Sequence, residues 1–141
     1  MNTALPADGV PPAVITPRIG VRVPQYGSDW AEVMRFARRA AGHGFDALWT
    51  NDHLMSPGRR AAEPAFDAFT TLAALAPLIS GPRLGVAVMS ASYRPAALAA
   101  KMATVLDVIS GGRMVVGLGT GSHVGEHEAY GVPFEPPARR T

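Results

Sequence analysis

Apolar residues along this chain recur in two alternating patterns. Short apolar runs predict four strands, at residues 18–23, 45–49, 84–89 and 113–118. Between these runs, apolar residues spaced three and four apart predict three amphipathic helices. Strands and helices in alternation predict a parallel sheet with right-handed helical crossovers. Two folds have this order: half of a (β/α)8 barrel, or a small doubly wound α/β sheet.

The segment at residues 106–122, LDVISGGRMVVGLGTGS, contains this pattern in its shortest form. A helix is expected to end at its Gly-Gly pair, because glycine adopts the left-handed conformation that a helix C-terminus favours. The apolar run Met114, Val115 and Val116 predicts a strand that is covered on both faces. Alternate glycines follow at the end of this strand, where parallel α/β folds bind their ligands.

Local signals indicate where the helices begin and end. Asp29, with Glu32 three residues later, gives the first helix a capping-box pattern. The second helix is predicted over residues 66–80, with Pro77 kinking its last turn, and a short fourth helix at 123–130. The third helix is predicted to bury one apolar stripe, made of Leu98, Met102, Val105, Leu106 and Ile109.

The composition indicates one globular domain and excludes several classes of protein. Of the 141 residues, 48% are hydrophobic and 17% are charged, and there is no cysteine. The net charge of +2 is too small to predict binding to nucleic acid or to an anionic membrane. No apolar stretch reaches the ~18 residues of a membrane-spanning helix. Residues 1–17 lack the features of a signal peptide and are predicted to be a disordered leader to a cytoplasmic domain.

A polar pair, Asp52 and His53, directly follows the second predicted strand. At the carboxyl edge of a parallel sheet, such a pair can hydrogen-bond a flavin-like ring or transfer a proton, since imidazole titrates near neutral pH. The alternative is structural, with an aspartate that caps a turn beside a surface histidine. From these residues alone, the structural interpretation is favoured.

Two further motifs resemble known binding sites, for a dinucleotide and for zinc, but each departs from its pattern in detail. GLGTGS is similar to a dinucleotide-binding loop, but Ser122 stands where the third glycine is required. His123, Glu126 and His127 spell H-x-x-E-H, an inverted zinc-protease string. Gly125 weakens the helix that must align both histidines, and the following segment offers few residues to complete a zinc site. No metal site is therefore predicted.

Four stretches of the chain together resemble the bacterial luciferase-like flavin and deazaflavin oxidoreductases. They are GFDALWTNDHL at 44–54, LGVAVMSASYRP at 84–95, LAAKMATVLDVISGGRMVVGLGTGS at 98–122 and EHEAYGVPF at 126–134. Each stretch is weak evidence alone, whereas four in this order and spacing are specific. The Asp-His pair is most similar to the branch that uses coenzyme F-420, with FMN users second.

The resemblance implies an α/β fold, the N-terminal half of a (β/α)8 TIM barrel. Residues 18–134 would form four parallel strands with helical crossovers, and residues 135–141 a truncated tail. In the family, the second half of the barrel supplies most of the cofactor phosphate site. The chain is therefore expected to be a fragment, or a half-barrel that must pair.

The resemblance also assigns site residues. It implies that His53 is the catalytic residue beside the reactive ring carbon, which makes the functional interpretation of the Asp-His pair the favoured one. It implies a non-prolyl cis peptide bond at Ala87–Val88 that supports the ring. Ser122 replaces the glutamate that donates a proton in the sugar-phosphate dehydrogenases of the deazaflavin branch. The implied cofactor contacts are Asp52, Ala87, Val88, Met89, Thr120 and Gly121.

The leading hypothesis is an oxidoreductase or monooxygenase that transfers a hydride to or from coenzyme F-420 or FMN and acts on a small-molecule substrate. The alternative is a catalytically inactive half-barrel that acts only through oligomerisation. Because four strands leave two sheet edges exposed, the chain is expected to pair with a second half-barrel, such as another copy of itself, or to aggregate.

Overall fold

The computed structural model describes residues 16–56 and 63–139, in which strands and helices alternate. The predicted leader lies outside the described residues except for Thr16 and Pro17, as do residues 140–141 of the predicted tail. Among the described residues, no helix is both long and apolar enough to cross a bilayer. The elements are β1 Gly20–Arg22, α1 Trp30–Gly42, β2 Ala47–Thr50, α2 Ala68–Leu75, β3 Arg83–Ser90, α3 Ala96–Ser110, β4 Met114–Gly119, α4 Val124–Tyr130 and a 3-10 turn at Pro137–Arg139.

The four strands form one parallel sheet in the order β1-β2-β3-β4. Each of α1, α2 and α3 connects one strand to the next strand in the sheet. This order runs without reversal, as in a (β/α)8 barrel, whereas a doubly wound sheet reverses its order at the ligand site. The fold is therefore α/β, with the architecture of the N-terminal half of a TIM barrel, as predicted.

The hydrophobic core lies between the helices and one face of the sheet. Leu48 of β2 and Leu84 and Val86 of β3 are fully buried there, because alternate strand residues point to the same side. The helices contribute buried apolar side chains to the same cluster, among them Val33, Ala37, Phe69, Leu72 and Leu106.

The opposite face of the sheet carries Trp49, whose indole packs against glycines on both neighbouring strands. A methyl group added at Gly20 of β1 or at Gly85 of β3 would overlap the Trp49 ring. Glycine is needed at both positions, since a side chain there would force the indole out of its place. This face lines the interior of the half-barrel.

Two predicted helix ends are present. The amide of Glu32 donates to Asp29 Oδ1 at 2.7 Å, and the amide of Asp29 donates to Glu32 Oε2 at 3.0 Å, which completes the capping box of α1. α3 ends at Ser110, and the φ of 69° at its C-cap, Gly111, lies in the left-handed region. Both features depend on neighbours in sequence, which is why they were predictable.

The second helix is shorter than predicted. α2 ends at Leu75, so Pro77 lies beyond the helix and does not kink its last turn. The amides of Leu78 and Ile79 both donate to the carbonyl of Leu75, which tightens the chain into a turn. The helix stops because proline cannot donate a helical hydrogen bond and clashes with the preceding turn.

The apolar stripe predicted for α3 is wrong at several positions. Leu106 is buried, but Leu98, Val105 and Ile109 are exposed. The helix turns Ala99 and Ser110 towards the core instead. Small side chains on the buried face let a helix approach its neighbours closely. The spacing of apolar residues does not indicate whether the small or the large side chains of α3 face the core.

β4 is less covered than its apolar run predicts. Leu118 is 66% exposed and Val116 37%, and within the described residues no strand pairs with the outer edge of β4. Val108 of α3 is also exposed. The prediction of a strand buried on both faces is wrong, because the elements that would cover β4 in a closed barrel are not among those described.

We expect the 141-residue chain to self-associate, because pairing would cover apolar side chains and the open edge of β4. Leu118→Lys is expected to weaken this association, since a charge on an edge strand disfavours pairing. Sedimentation at several concentrations, with a thermal melt, would measure it. A monodisperse monomer of 14.8 kDa that melts cooperatively above ~50 °C would contradict the prediction.

Candidate active site

A cavity of about 520 Å³ lies at the carboxyl ends of the four strands. β1 contributes Arg22, the end of β2 contributes residues 51–53, β3 contributes Ala87 and Val88, and the end of β4 contributes residues 119–122. Parallel strands place all their carboxyl ends at one edge, and ligand sites of α/β barrels lie there. A larger cavity, of about 610 Å³, lies beside α1 and lacks this convergence of strand ends.

His53 is held at the cavity by a buried carboxylate. Its Nδ1 lies 3.0 Å from Glu126 Oε2 and 3.1 Å from Oε1, and the Glu126 side chain is 0% exposed. The hydroxyl of Tyr93 also donates to Glu126 Oε2, and the amide of Met55 donates to Oε1 at 3.2 Å. Three donors from the loops after β2 and β3 therefore converge on one carboxylate of α4.

The protonation states of this cluster follow from its hydrogen bonds. Burial raises the pKa of Glu126, but hydrogen bonds from Tyr93, His53 and the Met55 amide outweigh it, and the net pKa is lowered. Burial, together with the hydrogen bond to Glu126, raises the pKa of Tyr93 well above its ordinary value. Glu126 is thus ionised at neutral pH, and Tyr93 remains a neutral donor.

The other ring nitrogen of His53, Nε2, lies on the side of the ring away from Glu126. The His53 side chain is 28% exposed and lines the cavity. Among the described residues, no group hydrogen-bonds its Nε2. An imidazole held at one nitrogen and open at the other can accept or donate a proton at the cavity.

Asp52 binds an arginine, whereas its neighbour His53 binds a carboxylate. Arg94 binds both carboxylate oxygens, with Nη1 at 2.6 Å from Oδ2 and Nη2 at 2.8 Å from Oδ1. The amide of Ser90 also donates to Oδ2 at 2.8 Å, and the hydrogen bond to Asp52 raises the pKa of Arg94. The Asp52 side chain is only 1% exposed. Its carboxylate therefore joins the loops after β2 and β3 at the edge of the cavity.

A cis peptide bond joins Ala87 to Val88, as the resemblance implied. The Asn51 amide, in the orientation that satisfies both of its ends, donates to the Ala87 carbonyl at 3.1 Å and accepts from Arg22 Nη1 at 3.2 Å. Ala87 and Val88 are exposed towards the cavity. They give it an apolar surface beside the polar groups of Arg22 and Asn51.

Gly119, the last residue of β4, and Gly121 make room for the protein's own side chains. A methyl group at Gly119 would lie 2.7 Å from Val88 Cγ2, and one at Gly121 would lie 2.7 Å from Ser90 Oγ. Ser90 Oγ lies 2.9 Å from Ser92 Oγ, which lies 3.2 Å from His127 Nε2. Glycine is thus required at these positions even without a ligand.

The three side chains of the H-x-x-E-H string point to different partners. His123 Nδ1 accepts a hydrogen bond from the amide of Glu126 at 3.3 Å and caps α4. Glu126 binds His53, and His127 binds Ser92 and the carbonyls of Val132 and Pro133. Across residues 16–56 and 63–139, no group of three or more histidine, aspartate or glutamate side chains is arranged to hold a metal ion.

Comparison with known proteins identifies the family. A family model described as luciferase-like monooxygenase matches residues 13–141. The chain belongs to this family.

Luciferase-like relatives are longer than this chain. The 5,10-methylenetetrahydromethanopterin reductase of Methanolobus tindarius is 32% identical over 110 residues, which are 78% of this chain and 31% of that protein. The chain thus spans about a third of the length of the curated relatives it matches.

Solved luciferase-like structures share the fold. An F-420-dependent secondary alcohol dehydrogenase, in complex with an F-420–acetone adduct, aligns with a TM-score of 0.77 at 20% identity, over 89% of this chain and 38% of that one. The oxygenating constituent of 3,6-diketocamphane monooxygenase from Pseudomonas putida, in complex with FMN, aligns with a TM-score of 0.66 at 19% identity, over 81% and 32%.

The luciferase-like chain brings most of the predicted site residues to one cavity. His53, Ala87, Val88, Thr120 and Gly121 line it, as does Asp52. The predicted contact Met89 is instead buried in the core, because the irregular register between Val86 and Met89 turns its side chain to the helices.

Sequence reasoning missed five residues of this site: Arg22, Asn51, Tyr93, Arg94 and Glu126. Tyr93 and Arg94 follow β3 as Asp52 and His53 follow β2, so the same signal, polar residues after a strand, could have found them. Glu126 lies in the H-x-x-E-H string and in the family-like stretch 126–134, but neither assigned it a role, and no local pattern indicates that it faces His53.

The lowered pKa of Glu126 makes stability depend on pH. Its ionised form stabilises the fold above the ordinary pKa of 4.5, and this contribution is lost as pH falls through the lowered value. We expect the Tm of the wild type to fall more steeply below about pH 4.5 than that of Glu126→Gln. Glu128→Gln, which removes an exposed carboxylate from the same helix, is expected to keep the wild-type slope. Equal slopes for wild type and Glu126→Gln would contradict this.

Proposed function

We propose that this chain forms the ring-binding and proton-transferring half of an F-420- or FMN-dependent oxidoreductase that transfers a hydride to or from the ring. The observation that carries the proposal is the position of His53. A buried carboxylate holds its ring at the carboxyl edge of the sheet, where it lines the same cavity as Ala87 and Val88. Catalytic residues of α/β barrels gather at this edge.

The cavity residues fit a flat heteroaromatic ring. Ala87 and Val88 offer an apolar surface on which such a ring can lie. Arg22, Asn51 and Thr120 surround this surface with groups that can hydrogen-bond ring carbonyl and N–H groups. An apolar surface for the ring, bordered by polar groups that fix its orientation, is typical of cofactor sites.

Each site residue has a separate task in the proposed reaction. When bound, the cofactor supplies the redox chemistry. His53 holds or moves a proton at the substrate through Nε2, and Asp52 keeps the loops after β2 and β3 together by binding Arg94. Arg22 orients the ligand with a fixed positive charge.

The cofactor we favour is coenzyme F-420, with FMN as the alternative. The Asp-His pair after β2 is similar to the F-420 branch, and two structural neighbours are F-420-dependent. Another neighbour is in complex with FMN, which supports the alternative.

A second candidate function is that of an inactive half-barrel that acts only by binding another protein chain. The observation that favours it is the exposed apolar surface of β4, with Leu118 as its most exposed side chain. Cofactor binding distinguishes this candidate from the first, since an inactive half-barrel does not require it.

We expect the 141-residue chain to bind F-420 and FMN measurably but more weakly than micromolar. Among the described residues that line the cavity, only Arg22 has a permanent positive charge to offer a cofactor phosphate. Fluorescence titration measures both affinities. Arg22→Gln is expected to weaken binding further, whereas Arg38→Gln, an exposed change on α1, should not. Micromolar binding by a monomer contradicts the weak-binding prediction, and no binding of either cofactor contradicts the proposed function.

His53→Ala is expected to lower turnover by ~100-fold or more, because general acid–base catalysis contributes 10²–10⁴-fold. The free energy of unfolding should fall by about 1.5–3 kcal/mol, the usual value of one hydrogen bond to a charged group, which leaves the fold largely intact. The measurement uses a complete barrel, made by joining this chain to the second half of an F-420-dependent relative and assayed with that relative's substrate. His43→Ala, at the exposed end of α1, is the matched control. Unchanged turnover at full cofactor occupancy would reject the role of His53.

A further inference from the structure

We propose that Glu126 is the positioning residue of His53: its carboxylate sets which nitrogen of the ring carries the proton. The proposal rests on the proposed function for its consequence, since a fixed tautomer matters only if His53 transfers a proton. The hydrogen bond on which the proposal is based does not depend on any cofactor. It joins Glu126 of α4, near the C-terminal end of the described chain, to His53 after β2.

The carboxylate can only accept hydrogen bonds. An ionised glutamate has no proton to donate, so the ring nitrogen 3.0 Å from Oε2 must carry the hydrogen. A neutral His53 therefore has its proton on Nδ1, and its unprotonated Nε2 is the nitrogen left for the cavity. A carboxylate that binds one imidazole nitrogen fixes the tautomer in this way in metal sites and catalytic triads.

Glu126 cannot easily turn away from His53. Tyr93 and the Met55 amide bind its two oxygens independently of the histidine. Its side chain is completely buried, so no water replaces a lost partner. The carboxylate is thus fixed first, and the imidazole ring takes its orientation from it.

α4 is attached to the loop after β2 at a second point. The hydroxyl of Tyr130, at the end of α4, donates to the carbonyl of Leu54 at 2.9 Å. This contact lies next to His53 in sequence but does not touch its ring. It offers a control, because its removal loosens the helix without removing the carboxylate.

The fixed tautomer gives His53 a direction of proton transfer. Its Nε2 can accept a hydrogen bond from a ligand hydroxyl or N–H group, and then the proton itself. The proton leaves the ligand oxygen or nitrogen and binds Nε2, and the resulting imidazolium keeps its Nδ1–H bond to Glu126. The negative carboxylate balances the new positive charge, so neither side chain needs to move.

The test is the tautomer itself, read from long-range ¹H–¹⁵N spectra of protein labelled at its 4 histidines. The His53 signals are assigned by their loss in His53→Gln. In the wild type, at a pH above the histidine titration range, we expect the proton on Nδ1. In Glu126→Gln we expect this preference to be lost, because the amide can donate to Nδ1. In Tyr130→Phe the wild-type tautomer should remain.

Two outcomes would overturn the proposal. One is a wild-type His53 with its proton on Nε2, which decides the matter even if Glu126→Gln does not fold. The other is an equal loss of preference in Tyr130→Phe and Glu126→Gln, which would indicate helix packing rather than the carboxylate. Neither outcome depends on turnover or on bound cofactor. Failure here is therefore distinguishable from failure of the proposed function, which the turnover of His53→Ala tests.

Discussion

The site depends on one buried carboxylate and the donors it requires. Glu126 has no access to water, so every hydrogen bond to its charge must come from the protein. The donors come from His53 and Met55 after β2 and from Tyr93 after β3. A short helix far along the chain thereby fixes two strand ends in relation to each other. A parallel sheet brings its strand ends to one edge. The side chains there take defined orientations only when a buried group such as the Glu126 carboxylate binds them.

The parts of the structure that the sequence predicts are those with local causes. Apolar periodicity is a property of each segment, so the order of strands and helices could be predicted, and with it the parallel sheet. The capping box of Asp29 and the glycine at the end of α3 act within a few residues. The cis bond at Ala87–Val88 has no such local cause. Only the resemblance to a family implied it, because no residue type there requires that geometry.

The parts that could not be predicted depend on contacts between distant segments. Glu126 and His53 are 73 residues apart, and Arg94 binds Asp52 across 42. The buried face of α3 was misassigned for the same reason. Which of its apolar residues faces the sheet depends on how closely the helix packs, and Ala99 permits a closer approach than Leu98. The glycines after β4 were interpreted as space for a ligand, whereas Val88 and Ser90 already occupy the space beside Gly119 and Gly121.

Asp52 and His53 illustrate how neighbouring residues acquire opposite roles. Both follow β2, and a sequence-based interpretation treats them as one polar pair. Successive side chains of an extended chain point to opposite sides, so the two enter different environments. Asp52 meets Arg94 and the Ser90 amide, which bind both of its oxygens. His53 meets Glu126, which uses only one of its two nitrogens. Because imidazole has a second nitrogen, the histidine can be anchored at one nitrogen and remain reactive at the other, whereas the bonds to the aspartate hold the loops after β2 and β3 together.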